Sequence, residues 1–305
     1  MARQVTQAGA LSGVVDKARS RAEVSSMRQR QFRRGTESIG AHVIMIIMVL
    51  VCIFPLLVLI TTSFKQPTDI FTPYVQLLPP HPTLDNYKYV LSHGFPTWLL
   101  NSLKIGLLTT IVGLALSSPA AYAFSRWQFL GKQGVLLIFL ITQMFPGIIL
   151  LIPLYNLFSQ FNLLDNVYVL VIAYATTALP FSVWMLKNFF DAVPKELDEA
   201  ARVDGLGPFQ TFWRIVLPLT IPGVAVVGFF NFMTAWNEFM MAFTLLESES
   251  NLTLPLGIQR YVHAFGADWH YLTAAAVLVT IPVLVIFLWA QRYLITGLTG
   301  GSVKG

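Results

Sequence analysis

Glu199-Ala-Ala-Arg-Val-Asp-Gly205, followed after nine residues by Ile215-Val-Leu-Pro218, is a polar interruption in a chain that is otherwise almost continuously apolar. Pro194 lies where helices tend to begin, because the missing N–H of proline is not needed in the first turn. Glu196 and Asp198 would then place negative charge at the positive end of the helix dipole. The sequence therefore predicts a short polar helix in this segment.

The spacing within the segment predicts a helix, a turn and a second helix. Asp198 and Arg202 are four residues apart, which predicts an ion pair on one helix face. Gly205 and Gly207-Pro208 end the first helix, and a short amphipathic piece follows from Phe209. Local physics alone leaves open whether this is an ordinary interhelical loop or a functional element.

The order Glu-Ala-Ala, three residues, Gly, nine residues, Ile, one residue, Leu-Pro resembles the EAA loop of membrane subunits in binding-protein-dependent ABC importers. Every named position of that signature is filled. The resemblance implies a helix pair that docks into a groove on a separate ATPase. Two alanines would allow close backbone approach, and a glycine permits a turn that a side chain would block. The docking residues so implied are Glu199, Ala200, Ala201, Asp204, Gly205, Ile215, Leu217 and Pro218.

Composition places the whole chain in a membrane. Of 305 residues, 55% are hydrophobic and 11% are charged, whereas soluble domains carry about 25% charged residues. A bilayer-spanning helix needs about 20 apolar residues. The apolar runs of that length are 40–62, 98–124, 134–158, 167–190, 219–245 and 271–294. We predict an all-α integral membrane protein with six transmembrane helices, kinked wherever proline removes a backbone hydrogen bond. The prolines within the runs are Pro55, Pro119, Pro146, Pro180 and Pro282.

The distribution of charge predicts the orientation and the domain limits. The prediction divides the chain into a basic N-terminal tail (1–38), a transmembrane domain (39–295) with its docking loop at about 191–218, and a glycine-rich C-terminal tail (296–305). If both termini are cytoplasmic, sixteen of the twenty Lys and Arg residues are inside, as the positive-inside rule requires. The net charge of +5 therefore reflects topology, and no nucleic-acid partner is expected.

Polar residues in the apolar runs are candidates for the translocation path. A carboxylate at the bilayer centre costs at least about 2.5–3.5 kcal/mol, so Glu238 should face a cavity, a partner or the outer interface. Gln143 lies beside Pro146, where a hydrogen bond between helices is the alternative to a path role. Asn231 and Asn237 complete the predicted path set. Further amide and aromatic side chains suited to a polyhydroxylated ligand are Asn101, Tyr122, Tyr155, Asn156 and Tyr174.

The sequence shows little that would support catalysis. It contains no GxxxxGK[ST] phosphate loop and no evident nucleophile–base pair, so we expect a non-enzymatic subunit that binds no cofactor, with ATP and Mg²⁺ used by the partner ATPase. Cys52 is the single cysteine. His263 and His270 flank Asp268, either as solvated loop residues or, less favoured by their spacing, as metal ligands.

The resemblance extends over almost the whole chain from about residue 40. Ala121-Tyr-Ala-Phe-Ser-Arg126, Gln143-Met-Phe-Pro146, Trp236-Asn-Glu238 and Ala290-Gln-Arg-Tyr-Leu294 are similar to the smaller membrane subunit of maltose/maltodextrin importers, the MalG type. The resemblance implies half of a bacterial or archaeal plasma-membrane heterodimer that imports an oligosaccharide, maltodextrin or trehalose-like. Its implied partners are a second permease subunit, two cytoplasmic ATPase subunits and an extracytoplasmic sugar-binding protein. The long N-terminal tail departs from this pattern.

Three alternatives remain at this point. The solute could be another sugar or a sugar derivative. A secondary transporter would need ionisable residues within the membrane, of which Glu238 is almost the sole example, and an intramembrane enzyme would need a catalytic pair.

The C-terminal tail is either a disordered end or, as the resemblance implies, a segment that contacts the ATPase dimer through Gly300, Gly301 and Lys304.

Overall fold

The computed structural model describes residues 40–74, 76–264 and 266–299, with the side chains of 294–299 excepted. The N-terminal tail and the tail residues Gly300, Gly301 and Lys304 lie outside the described residues. Residues 40–59 form a unit of their own, and the following elements belong to a second unit.

The described chain is helical except for its connections and one small hairpin. The helices are α1 (Gly40–Ser63), α2 (Asp85–Ser92), α3 (Phe95–Arg126), α4 (Lys132–Met144), α5 (Leu151–Gln160), α6 (Val167–Asp191), α7 (Glu196–Val203), α8 (Pro208–Thr211), α9 (Leu217–Leu219), α10 (Ile221–Asn237), α11 (Met240–Leu245), α12 (Leu254–Ile258) and α13 (Trp269–Thr299). A π-helical turn, Phe212–Val216, joins α8 to α9. Strands β1 (Val262–His263) and β2 (Gly266–Ala267) pair antiparallel. The predicted all-α membrane class is confirmed, with this hairpin as an addition.

The spans differ from the six uninterrupted runs expected from the sequence. Within the described residues, α1, α3, α6 and α13 are long and apolar enough to cross a membrane alone. The run 134–158 is broken instead of kinked, since α4 and the segment Gly147–Gln160 meet at 97°. The run 219–245 is divided too, because Pro208–Leu219 meets α10 at 82° and α11 is separate. Counting each bent pair as one span gives up to six.

Proline explains the first of these breaks. Phe145, which precedes Pro146, is extended with φ −81° and ψ 131°, as the residue before a proline prefers. Pro119, Pro180 and Pro282, by contrast, lie inside α3, α6 and α13 without ending them. Neighbouring helices can accommodate the hydrogen bond that a proline removes.

Small and polar residues bring α3 close to its neighbours α6 and α10. The face of α3 that carries Ser102, Gly106, Thr109, Gly113 and Ser117 is buried. A Cβ added at Gly106 would lie 2.8 Å from the Phe232 ring on α10. Membrane helices pack closely through such residues because lipid tails provide no hydrophobic drive for association.

Two apolar clusters mark the two ends of this bundle. One contains the ring of Tyr122 with Leu186, Phe190, Phe212 and Val216, at the end where α3 and α6 finish and α7–α9 follow. We call this the loop end. The other cluster joins residues of α2, α11, α12 and the first turns of α3, α6 and α13. We call this the far end.

Asp165 holds two connections together at the far end. Its backbone N–H donates to the Leu245 carbonyl (2.8 Å), and its carboxylate accepts the backbone N–H groups of Glu247 (3.0 Å) and Ser248 (2.9 Å) and the Ser248 hydroxyl. Burial opposes ionisation of this carboxyl group, but the hydrogen bonds from Ser248 and Glu247 outweigh it, so the pKa of Asp165 is lowered.

Candidate functional site

The predicted helix–turn–helix at the loop end is present, and its turn is defined by hydrogen bonds. The N–H of Leu206 donates to the Ala201 carbonyl (2.9 Å), and the N–H of Gly205 donates to the Arg202 carbonyl (3.1 Å). This is the Schellman motif, in which the residue after the C-cap is left-handed. Gly205 has φ +82°, which glycine adopts without the steric penalty of a side chain. The next helix starts at Pro208.

The predicted docking residues divide by exposure. Glu199, Ala200, Asp204, Gly205 and Pro218 are exposed, whereas Ile215 and Leu217 are half-buried and Ala201 is buried. The small side chain of Ala201 therefore serves packing within this chain, and the exposed members form a surface available to a partner.

Apolar side chains that sequence reasoning did not select complete this surface. Val203 is 88% exposed, Phe209 is 71% exposed and Trp213 is 53% exposed. Val203 is the last residue of α7, and Phe209 and Trp213 are in ring contact, with centroids 6.1 Å apart. Exposed apolar groups on a polar loop are a typical mark of a protein interface.

A buried ionic cluster attaches α7 to the membrane helices. The Arg126 Nε lies 2.8 Å from Asp198 Oδ2, and these side chains are 6% and 11% exposed. The other guanidinium nitrogens donate to the carbonyls of Phe190 (3.0 Å) and Val193 (3.1 Å). The Tyr122 hydroxyl donates to Asp198 Oδ1 (2.8 Å). Removing one partner of a buried ion pair typically costs about 3–5 kcal/mol, so this cluster fixes the helix position firmly.

This arrangement corrects one expectation. Asp198 pairs with Arg126 instead of with Arg202, because the end of α3 lies against α7, and tertiary contact overrides the i,i+4 spacing. Tyr122, one of the side chains that the sequence offered as suited to a polyhydroxylated ligand, contributes to the loop-end cluster and donates its hydroxyl proton to Asp198.

Beside the ionic cluster lies a polar cavity of about 310 Å³. Its walls carry charges of both signs, positive from Lys195 and Arg202 and negative from Glu199, and Trp127 also lines it. The exposed surface of the loop is therefore continuous with an opening that could accept a side chain from a partner.

Glu238 is satisfied by structural hydrogen bonds in the far half of the molecule. Its carboxylate accepts the Tyr174 hydroxyl (2.6 Å) and the backbone N–H groups of Met241 (2.8 Å) and Ala242 (3.2 Å). Glu238 thus links α6 to the start of α11. These hydrogen bonds provide a partner of the kind expected for a carboxylate in an apolar run.

The other predicted path residues each have a hydrogen-bond partner of their own. Gln143 is exposed on α4 and donates to the Thr177 carbonyl at 3.3 Å, so it joins two helices. Asn237 is exposed and donates to the Met233 carbonyl of its own helix (2.9 Å). Asn231 is 1% exposed and accepts the Ser182 hydroxyl (2.8 Å) between α10 and α6. Burial keeps Asn231 away from any open surface of this chain.

The histidines of the far end do not form a metal centre with Asp268. His263 Nε2 lies 2.8 Å from Asp268 Oδ2, but the His270 ring packs against Tyr271, with centroids 4.0 Å apart. Among the residues that the structure describes, no group of three or more His, Cys, Asp or Glu side chains could hold a metal ion.

Residues 113–300 match the family described as "binding-protein-dependent transport system inner membrane component", and the chain belongs to this family. It is therefore a multi-pass membrane permease of the inner-membrane type. The segment matched contains both the loop of 191–218 and the cluster around Arg126.

Curated relatives carry sugar-transport names. The maltose/maltodextrin transport system permease protein MalG of Vibrio parahaemolyticus is 37% identical over 286 residues, which is 87% of this chain and 95% of that protein. The trehalose/maltose transport system permease protein MalG of Thermococcus litoralis is 36% identical over 284 residues, or 92% and 100% of the two chains.

A solved structure shares the fold. A bacterial ABC transporter involved in the import of the acidic polysaccharide alginate superposes with a TM-score of 0.74 over 84% of this chain and 95% of that chain, at 23% identity. The helix arrangement described above is therefore that of ABC transporter permeases.

Arg126 is the residue at this site that sequence reasoning missed. In the sequence analysis, Arg126 contributed only to the number of positive charges on the cytoplasmic side and to the family-like segment Ala121–Arg126. A signal was present, since Tyr122 and Arg126 are four residues apart on one helix face at the end of an apolar run. Nothing in the sequence indicated that Asp198 would be the partner.

Proposed function

We propose that this chain is a permease subunit of an ATP-driven, binding-protein-dependent ABC importer for an oligosaccharide of the maltodextrin or trehalose-like kind. It forms half of the translocation path, and a second permease subunit forms the other half. Family membership supports the importer class, and the relatives named for maltose and trehalose support the solute class.

The exposed surface of the docking loop carries the proposal of coupling to a separate ATPase. It combines the carboxylate of Glu199 with the exposed apolar side chains of Val203 and Phe209. Exposing these apolar side chains to water is unfavourable unless a partner covers them. The sequence contains no phosphate loop, so ATP would have to be hydrolysed by a separate subunit. A cytoplasmic ATPase subunit is the partner that this surface would receive.

Charge supports the orientation that this coupling needs. The residues Arg126, Lys187, Lys195 and Arg202 lie at the loop end, and positive charge remains on the cytoplasmic side of membrane proteins. Under the proposal the loop end faces the cytoplasm, and the far end faces an extracytoplasmic sugar-binding protein.

The path itself would lie between the two permease subunits. The broken segment formed by α4 and α5 exposes Gln143 together with Met144 and Phe145, so this face is open for a second subunit. In this proposal Gln143 and Asn237 belong to the exposed surfaces near the path, whereas Glu238 and Asn231 support the helices that line it.

The experiment compares charge reversals at opposite ends of the molecule. A tagged chain with Glu199→Arg should insert normally but copurify with little ATPase and import little sugar. Glu247→Arg is the matched control, because Glu247 is exposed at the far end, and it should retain the ATPase. Equal ATPase recovery from both variants would exclude the docking role of the loop.

The solute class is tested on the binding protein. The sugar-binding protein that copurifies with the tagged chain should bind maltotriose or trehalose in titration calorimetry. Binding of neither, with tight binding of a monosaccharide or a non-sugar solute, would contradict the oligosaccharide proposal but leave the importer class intact.

The C-terminal tail is proposed as a second ATPase contact on the basis of the sequence. Deletion of Leu298–Gly305 should leave insertion normal but reduce both ATPase copurification and sugar uptake. Full retention of both would mean that the tail has no coupling role.

A further inference from the structure

We propose that Arg126 is the positioning residue through which movement of α7 reaches the membrane helices α3 and α6. The inference rests on the proposed function, because it concerns the step after the ATPase has engaged the loop. It assigns to one buried side chain the mechanical link between the docking helix and the bundle.

The geometry of the guanidinium group is the first observation. Arg126 ends α3, and its side chain contacts the end of α6, the following turn and α7 at once, through Phe190, Val193 and Asp198. A planar fork with fixed donors can hold two carbonyls and a carboxylate together, which a lysine ammonium cannot do in the same geometry. The three elements are therefore held to one rigid group.

The poor attachment of α7 elsewhere is the second observation. Of the eight residues in α7, Ala201 alone is buried. Within the described residues, Asp198 is the α7 residue whose side chain contacts the membrane helices, through an ion pair with Arg126 and a hydrogen bond accepted from the Tyr122 hydroxyl. A force on the exposed face of α7 would thus be transmitted at this point more than at any other.

The setting of the pair makes the link stiff. The two side chains are almost wholly buried, where ion pairs are screened little by salt. The Tyr122 ring contacts the rings of Phe212 and Trp127, with centroids 5.1 Å and 5.3 Å away, and its hydroxyl donates to the second carboxylate oxygen of Asp198. Asp198 therefore has little freedom to swing away when α7 moves.

The test uses the assembled complex and a reporter at the far end. Met240, exposed at the start of α11, is replaced by cysteine in a Cys52→Ala background. The labelling rate of this cysteine is measured with a thiol reagent, with and without ATP and vanadate. In the wild-type complex the nucleotide should change the rate by about 5-fold or more, the lower end of common allosteric couplings.

Asp198→Asn should keep the ATPase bound but remove most of this nucleotide response. Asp85→Asn is the matched control, because it makes the same change at a carboxylate that pairs with Lys88 within α2, and it should respond as the wild type does. If Asp198→Asn fails to insert, the same labelling measurement is made on Arg126→Lys, which keeps the positive charge but loses the planar guanidinium group; it should likewise lose most of the nucleotide response.

The outcomes separate the two proposals. Failure of the wild-type chain to copurify any ATPase overturns the proposed function and, with it, this inference. A full nucleotide response in Asp198→Asn overturns the inference alone. Loss of ATPase binding in Asp198→Asn also overturns it, because the pair would then shape the docking surface instead of transmitting movement.

Discussion

Gly205 offers a test of the docking turn in which strain and contact can be separated. Its φ is +82°, and a Cβ added there would meet no atom of this chain within 4 Å. Within the chain, Gly205→Ala therefore costs only the left-handed backbone penalty of about 1–2 kcal/mol. A free-energy change of that size shifts the balance between turn conformations by about 5- to 30-fold.

The effect of bulk at the same position must come from a partner, because this chain leaves the space open. Gly205→Asn tolerates the left-handed conformation and adds bulk, whereas Gly205→Asp adds bulk and charge. We expect Gly205→Asp to abolish sugar uptake and binding-protein-stimulated ATP hydrolysis with normal membrane insertion. If the turn conformation alone matters, Gly205→Asn should transport better than Gly205→Ala, and if close contact dominates, the order reverses.

The matched control is Gly131, which has φ +86° and also no neighbour within 4 Å of an added Cβ. It precedes α4 at the loop end and lies outside the docking segment. Gly131→Asp carries a similar strain, so it should insert and transport close to the wild-type rate. Wild-type uptake by Gly205→Asp would refute the reasoning, because the loop could not then be the coupling element.

Three further predictions concern topology, packing and pH. In a cysteine-free background, an impermeant thiol reagent applied outside intact cells should label a cysteine at Asp85 but not at Gly207, and labelling at 207 would reverse the orientation. Gly257→Ala should lower the unfolding midpoint in detergent by an amount equivalent to about 1–3 kcal/mol, because its Cβ would lie 2.1 Å from the buried ring of Trp98. Gly266→Ala is the control and should leave the midpoint unchanged, because its Cβ would have no neighbour within 4 Å. Because the pKa of Asp165 is lowered on folding, its stabilising effect is present above the unfolded value of 3.8 and lost as the pH falls through the folded pKa. Asp165→Asn should therefore flatten the acid limb of the stability–pH profile, and an unchanged limb would contradict this.

The class of the protein followed from the sequence because it depends on short-range properties. Apolar runs of bilayer length report a membrane helix wherever they occur, and α3 and α6 lie within a few residues of the predicted runs. The helix–turn–helix form of the loop was equally predictable from the sequence. Its start near Pro194, its end at Gly205 and its restart at Pro208 are set by proline and glycine, whose backbone preferences act locally.

Tertiary structure decided the properties that depend on two distant segments. Asp198 chose Arg126, 72 positions away in the numbering, over the nearby Arg202, because burial makes a paired charge obligatory and only packing shows which charge is buried. Glu238 became a link between α6 and α11 for the same reason. The breaks at Pro146 and before α10 also required the structure. A proline inside an apolar run ended one helix but left α3, α6 and α13 continuous, and surrounding helices, which the sequence does not show, can accommodate the hydrogen bond that a proline removes.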